Sequence, residues 1–329
     1  MKNLFFVPIP VISGPHEYSG RCPGAGKRMK IERKIAKCLL AAVILASGCS
    51  PKGLFADTVP SVFVSILPQA YFVKRIGGDF VDVKVMVGPG QSPATYEPTP
   101  RQMTDLGRSR AFFHIGVPFE KTFLPKIREL FPGLEIVDVS RGIERLYLRS
   151  SDEMGTPDPH IWLDPKRVMI LSRTISEELS QLFPSRKEAL RRNLNAFLEA
   201  LKRLDLRLES ILAPLRGRRF YVFHPAFGYF AQSYGLEQVA VEEEGKEPGP
   251  RRLTHLIMRA RNEGVRVIFV QPQYASRDVE ALARAIDGVV VPIDPLPRDY
   301  IQSMETTAEA IRVGLTPKRI NLRKERGCS

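Results

Sequence analysis

Ser185–Ala213 reads SRKEALRRNLNAFLEALKRLDLRLESILA, and its spacing decides the architecture. Leu190, Leu194, Phe197, Leu201, Leu204, Leu208 and Ile211 follow one another in alternating steps of four and three residues, which keeps one face of a helix apolar. Pro184 precedes the stretch and Pro214 follows it, so both ends are punctuated. Such a helix runs roughly 40 Å at about 1.5 Å per residue. The same stripe would also suit a coiled-coil partner. Strand candidates lie in equal number before and after it, however, so the expectation is a rigid spine joining two lobes.

Before the spine the strand candidates are Val62–Leu67, the alternating Val81/Val83/Val85/Val87, Ala111–Ile115 and Glu135–Val139. After it come Arg219–Phe223, Gln238–Val241, Val265–Val270 and Val289–Ile293. They are short, β-branched or aromatic, and bounded by Gly, Pro or Asp. Helical spacing separates them, as at Val168, Leu171, Ile175, Leu179 and Leu182. Alternating strands and helices imply parallel sheets covered on both faces. The fold class is therefore α/β, two lobes with parallel sheets joined by one long backbone helix. The expected divisions are an extension and export segment over 1–56, a first lobe over 57–183, the linking helix over 184–215, a second lobe over 216–315 and a basic tail over 316–329.

The chain carries a net charge of +13, which raises the question of nucleic acid. The surplus sits at the ends. Residues 1–48 hold eight Lys or Arg against two Asp or Glu, while Asp57–Leu315 holds 35 basic and 33 acidic residues. A nearly neutral body without a basic face excludes nucleic acid as the expected partner. Four cysteines are too few and too scattered for a disulfide scaffold.

The segment MKIERKIAKCLLAAVILASGCS, from Met29, has the parts of an export signal: basic Lys30, Arg33, Lys34 and Lys37, apolar Leu39–Leu45, then Ala46-Ser47-Gly48-Cys49. The apolar run is too short to span a bilayer stably. Ala46–Cys49 resembles a bacterial lipobox, making Cys49 the expected lipidation site; plain cleavage after Ala56 is the alternative. Residues 1–28 push the signal away from the terminus, so translation is expected to begin at Met29. The mature protein is expected at the periplasm or cell surface, lipid-anchored and monomeric.

In parallel α/β sheets ligands bind beyond the carboxyl ends of strands. His114, His224, Gln271 and Asp294 all sit at such ends, and His160 sits in DPHIWLDP, where prolines stiffen the loop. Imidazoles plus a carboxylate make a site for zinc or manganese. His255, on the polar helix Arg251–Asn262, reads as a surface residue. Enzyme signatures are missing: the chain has no G-x-S-x-G, H-E-x-x-H, Walker-A or G-x-G-x-x-G.

SILPQAYFVKRIGGDFVDVKVMVGPGQSPATYEPTPRQM, DPHIWLDP, FHPAFGYFAQSYGLEQ, VIFVQPQYASR and PIDPL follow one another in the chain. Together they resemble the zinc/manganese solute-binding proteins of ABC importers, the family of the zinc-uptake complex component A, over about residues 60–315. The resemblance implies two α/β lobes on one backbone helix, little hinge closure, and a receptor that hands a divalent cation to a membrane permease. By motif position it implies His160, His224 and Asp294 as metal ligands. Two positions depart from the family pattern. Ala94 stands where the loop's first ligand histidine is expected, and Gln271 where glutamate is common. His114 is the candidate substitute, with Glu97 and Gln271 behind it. The family's His-rich loop is also absent, since Glu144–Pro159 contains no histidine.

The expectation is thus a non-enzymatic receptor for Zn2+ or Mn2+. Its rivals are a receptor for a metal chelate or small organic ligand on the same scaffold, a zinc hydrolase using an open coordination position, and a surface adhesin of the same fold.

Overall fold

The computed structural model describes residues 59–148, 155–242, 249–274 and 277–316. The export segment with Cys49, and the tail beyond Thr316, lie outside them. The first sheet contains β1 (Ser61–Val64), β2 (Asp82–Val85), β3 (Ala111–His114) and β4 (Glu135–Asp138), in the order β2-β1-β3-β4. The second contains β5 (Arg219–Val222), β6 (Glu237–Ala240), β7 (Val267–Val270) and β8 (Val289–Pro292), in the matching order β6-β5-β7-β8. Every neighbouring pair is parallel. In each sheet the strand order reverses between the first and third strands, which opens a crevice beyond their carboxyl ends.

The intervening helices are α1 (Leu67–Gly77), α2 (Pro100–Leu106), α3 (Glu120–Leu130), α4 (Pro165–Leu182), α5 (Lys187–Leu212), α6 (Gly228–Tyr234), α7 (Pro250–Asn262), α8 (Arg277–Ala285) and α9 (Tyr300–Leu315). The first strand ends earlier than its apolar run suggests because Pro68 starts α1 and Gln69 caps it. The Gln69 Oε1 accepts from the Ser65 and Ile66 amides at 3.0 and 3.2 Å, and its Nε2 donates to the Phe113 carbonyl at 3.1 Å. One side chain thereby ends β1 and ties it to β3.

The spine is α5, closed at its ends by short 3-10 turns at Pro184–Arg186 and Ala213–Leu215. Its stripe is consumed inside the molecule: Leu190, Phe197, Leu201, Leu204 and Leu208 are buried against α1, α4 and α9. That disposes of the coiled-coil alternative. A continuous core runs from Val62, Phe112 and Phe113 through this stripe to Phe220, Val222 and Phe269. The alternate residues Tyr221, Phe223, Ile268 and Val270 point to a second core with Leu256, Leu282 and Ile286, so the second sheet is buried on both faces.

A second tie joins the halves. Helix α9, which follows the last strand, returns to the first half and inserts Tyr300 against Phe72, with ring centroids 4.9 Å apart and planes at 85°. Phe72 in turn lies 6.0 Å from Phe197 of the spine. With α5 and α9 both spanning the halves, a wide hinge motion would have to break this aromatic packing.

Candidate metal centre

His160 is held by its own loop. Asp158 folds back so that Oδ1 accepts from the His160 amide at 2.9 Å and from ring Nδ1 at 2.7 Å. The Asp158 carbonyl accepts from the Tyr229 hydroxyl at 2.8 Å and from Arg145 at 3.2 Å. Trp162, buried two residues on, packs 5.2 Å from the His160 ring and donates its indole N–H to the Pro295 carbonyl at 2.6 Å. Pro159 and Pro165 within DPHIWLDP and this anchored tryptophan leave the imidazole little freedom.

His224 lies just past β5. Its backbone is strapped by Gln271: the amide N–H donates to Oε1 at 3.1 Å, and Nε2 donates to the His224 carbonyl at 2.7 Å. Its ring Nδ1 meets Glu242 Oε1 at 2.5 Å, and Glu242 is buried. Tyr274 stacks on the ring, centroids 4.7 Å apart and planes at 14°. Burial holds the His224 pKa below its ordinary value of 6.5; the Glu242 hydrogen bond opposes that and the neighbouring His160 reinforces it.

The two rings meet tip to tip, with His160 Nε2 3.3 Å from His224 Nε2. An ionised carboxylate only accepts, so each Nδ1 is the donor to its carboxylate and a neutral ring then carries a lone pair on Nε2. Two such lone pairs confront one another across a gap suited to a positive ion. Nitrogens about 2.0–2.1 Å from one tetrahedral zinc stand about 3.3–3.4 Å apart. The pair therefore has the bite of a cation site before any ion is considered, and Asp158 and Glu242 orient it as outer partners.

The other candidates are placed differently. Among the described residues no group of three His, Cys, Asp or Glu side chains is arranged to hold an ion. His114 faces Glu120, its Nδ1 3.6 Å from Oε2 and buried without a hydrogen-bond partner. Glu120 also takes the Ser65 hydroxyl and the amides of Ile115 and Gly116, the latter two at 3.1 and 2.6 Å. Asp294 accepts the Leu296 amide at 2.9 Å, in the turn that Trp162 ties to the His160 loop. Glu97 and Ala94 are exposed, and Gln271 has both ends of its amide on the His224 backbone. His255 is exposed on α7.

Asp158, Glu242 and Tyr274 are not among the residues singled out from the sequence. Glu242 had a readable signal: it follows β6 at a strand's carboxyl end, the same position that marked His224. Asp158 sits two residues before His160, within reach for a side chain to turn back onto the ring. Nothing local marks Tyr274.

Comparison with known proteins identifies the family of the chain and its fold. The family described as zinc-uptake complex component A, periplasmic, matches residues 62–314. The zinc-binding lipoprotein AdcA of Streptococcus pneumoniae serotype 4 is 25% identical over 281 residues, covering 78% of this chain and 56% of its own length. The chain thus spans little more than half of that relative. The manganese ABC transporter substrate-binding lipoprotein PsaA of Streptococcus anginosus is 28% identical over 228 residues, covering 65% of this chain and 73% of PsaA. A crystal structure of ZnuA superposes with a TM-score of 0.74 at 37% identity, over 78% of this chain and 99% of that one.

Proposed function

The chain belongs to the zinc-uptake complex component A family, and from that premise we propose that it captures a divalent cation outside the cytoplasm and passes it to an ABC permease. Zinc is the first choice and manganese the second, the metals named for the relatives AdcA and PsaA. The observation that carries the reading is the 3.3 Å separation of His160 Nε2 and His224 Nε2, the bite of a tetrahedral zinc.

In this reading the cation is cargo and no bond of a substrate is made or broken. His160 and His224 supply two nitrogens. Asp158 and Glu242 keep both rings in the tautomer that presents Nε2, and their carboxylates offset the dication's charge. Asp294 is the third ligand, from the turn held beside His160 by Trp162. His114 and Gln271 act as supports, the first against Glu120 and the second on the His224 backbone. Exchange proceeds through local loops, because α5 and α9 bind the halves together. A lipid on Cys49 tethers the receptor to the membrane, and Cys49→Ser would shift it to the soluble fraction.

The test is titration of metal-stripped protein with Zn2+ and with Mn2+. One tightly bound equivalent is expected, lost in His160→Ala and in His224→Ala while both variants keep wild-type circular dichroism. Wild-type protein that takes up neither cation, or a His160→Ala variant that binds like wild type, overturns the reading.

A further inference from the structure

We propose that Tyr229 is a positioning residue for the cation: its hydroxyl ties the segment that carries His224 to the loop that carries His160, and so sets the distance between the two ligand nitrogens. The proposal rests on the metal-receptor reading and adds to it a side chain that acts on the backbone behind the ligands.

Tyr229 stands shortly after His224 in the chain, on the first turn of α6, and is fully buried. The backbone between the two is compact. The Ala226 amide donates to the His224 carbonyl at 2.8 Å, and the Phe227 amide donates to Gln238 Oε1 of β6 at 2.6 Å. Tyr229 is therefore part of the same rigid piece as His224. Its hydroxyl reaches out of that piece, donating to the Asp158 carbonyl at 2.8 Å and accepting the Leu146 amide at 3.0 Å. Asp158 is the residue whose carboxylate grips the His160 amide and ring, so a bond at its carbonyl sets where the His160 turn stands. Burial raises the Tyr229 pKa above its ordinary value of 10.0, and the hydroxyl keeps the proton that it donates.

The rest of the His160 loop meets the same tyrosine. Before the loop, the Asp158 amide donates to the Leu146 carbonyl at 2.8 Å and the Leu148 amide to the Thr156 carbonyl at 2.9 Å, which builds a short stem. After it, Asp164 takes Arg167, whose guanidinium lies 4.4 Å over the Tyr229 ring and donates to Gln232 of α6 at 2.9 Å. Arg145 holds the Asp158 carbonyl from the other side: Nη1 donates to it at 3.2 Å, and Nη2 donates to the Ile115 carbonyl, just past β3, at 2.9 Å. One backbone oxygen is thus gripped from the first sheet by Arg145 and from the second half by Tyr229. Removing the Tyr229 hydroxyl leaves the loop tied to the first sheet and takes away the bond that registers it against His224. The 3.3 Å approach of the two Nε2 atoms then has less to hold it when no cation is bound.

The experiment compares two hydroxyl deletions on one helix. Tyr229→Phe keeps the ring beneath Arg167 and removes only the oxygen. Tyr234→Phe removes a buried hydroxyl that donates to Asp205 of the spine at 3.0 Å, and serves as the control for loosening of α6. Zinc affinity by competition titration, stopped-flow loading and release, and Tm of the metal-free protein are measured for both and for wild type. Tyr229→Phe is expected to weaken zinc binding about tenfold, the factor of one good hydrogen bond. The loss should fall on the loading rate, because only a fraction of the free molecules then present the paired nitrogens, while the bound cation itself holds them together during release. Tyr234→Phe should lower Tm and leave zinc affinity within about 2-fold, since its contact does not reach the His160 loop residues that Tyr229 holds. Wild-type protein that takes up no zinc overturns both this proposal and the metal-receptor reading. Zinc uptake by wild type with unchanged affinity in Tyr229→Phe overturns the positioning role alone, as does an equal loss in Tyr234→Phe or a loss carried only by faster release.

Discussion

Replacing Glu242 by Gln tests whether the histidine pair is oriented by its outer carboxylates. Glu242 is buried with its Oε1 2.5 Å from His224 Nδ1, on the far side of the ring from the 3.3 Å gap to His160. A carboxylate accepts only, so it holds the proton on Nδ1 and leaves Nε2 free for the cation. A glutamine in the same space presents either its carbonyl oxygen or its N–H2 to Nδ1, so the proton is no longer held there and the tautomer with Nε2 protonated, which blocks the ligand atom, becomes accessible. Losing an outer partner of this kind costs 10–100-fold in metal affinity, about 1.4–2.7 kcal/mol. The upper half of that range is expected here, because the site is buried and the lost negative charge also faced a dication. Competition titration against a zinc-chelating indicator at pH 7.5 measures the change, with Tm of the metal-free protein as the control for folding. An E242Q protein that binds zinc within 3-fold of wild type, at unchanged Tm, would refute the orientation argument.

Three further outcomes follow from other parts of the molecule. A Cβ at Gly228 would stand 3.0 Å from Asp158 Oδ2, so Gly228→Ala should push Asp158 off the His160 ring and weaken zinc binding about tenfold; unchanged affinity with a raised Tm, the usual result of Gly→Ala in a helix, would contradict this. His224 has a pKa below 6.5 when folded, so the unfolded chain takes up its proton first. Metal-free stability from this group is therefore full above pH 6.5 and is lost as pH falls from there through the folded pKa. Urea titrations across pH 5–8 should show that fall in wild type and a flatter profile in His224→Asn. Leu204→Ala, in the buried stripe of the spine, should cost 2–5 kcal/mol in urea unfolding, against no more than about 0.5 kcal/mol for exposed Leu206→Ala. Equal costs would mean that the stripe is not the core of the joint.

Legibility was uneven, and the unevenness has a physical pattern. All eight strands and the spine were readable, because strand alternation and helical spacing are properties of neighbouring residues. Ends were less so: β1 stops at Val64 because Gln69 reaches back to cap it and across to Phe113. The strand-end rule puts His224, Gln271 and Asp294 beyond strand ends, but what each side chain touches depends on residues far away in the chain. Gln271 binds the His224 backbone through both ends of its amide. His114 lies with its Nδ1 3.6 Å from Glu120 Oε2, a neighbour 6 residues on that the strand pattern does not reveal.

What the sequence alone determined was the α/β class, the long linking helix, and two stiff loops carrying histidines, since each follows from spacing within a few turns of chain. The tertiary structure alone decided that His160 and His224, 64 residues apart, meet at 3.3 Å with Asp158 and Glu242 behind them. It alone brought Tyr274 over His224. A cation is held by distances of a few tenths of an ångström, and those are set by how two sheets are locked together by α5 and α9, which local periodicity does not encode.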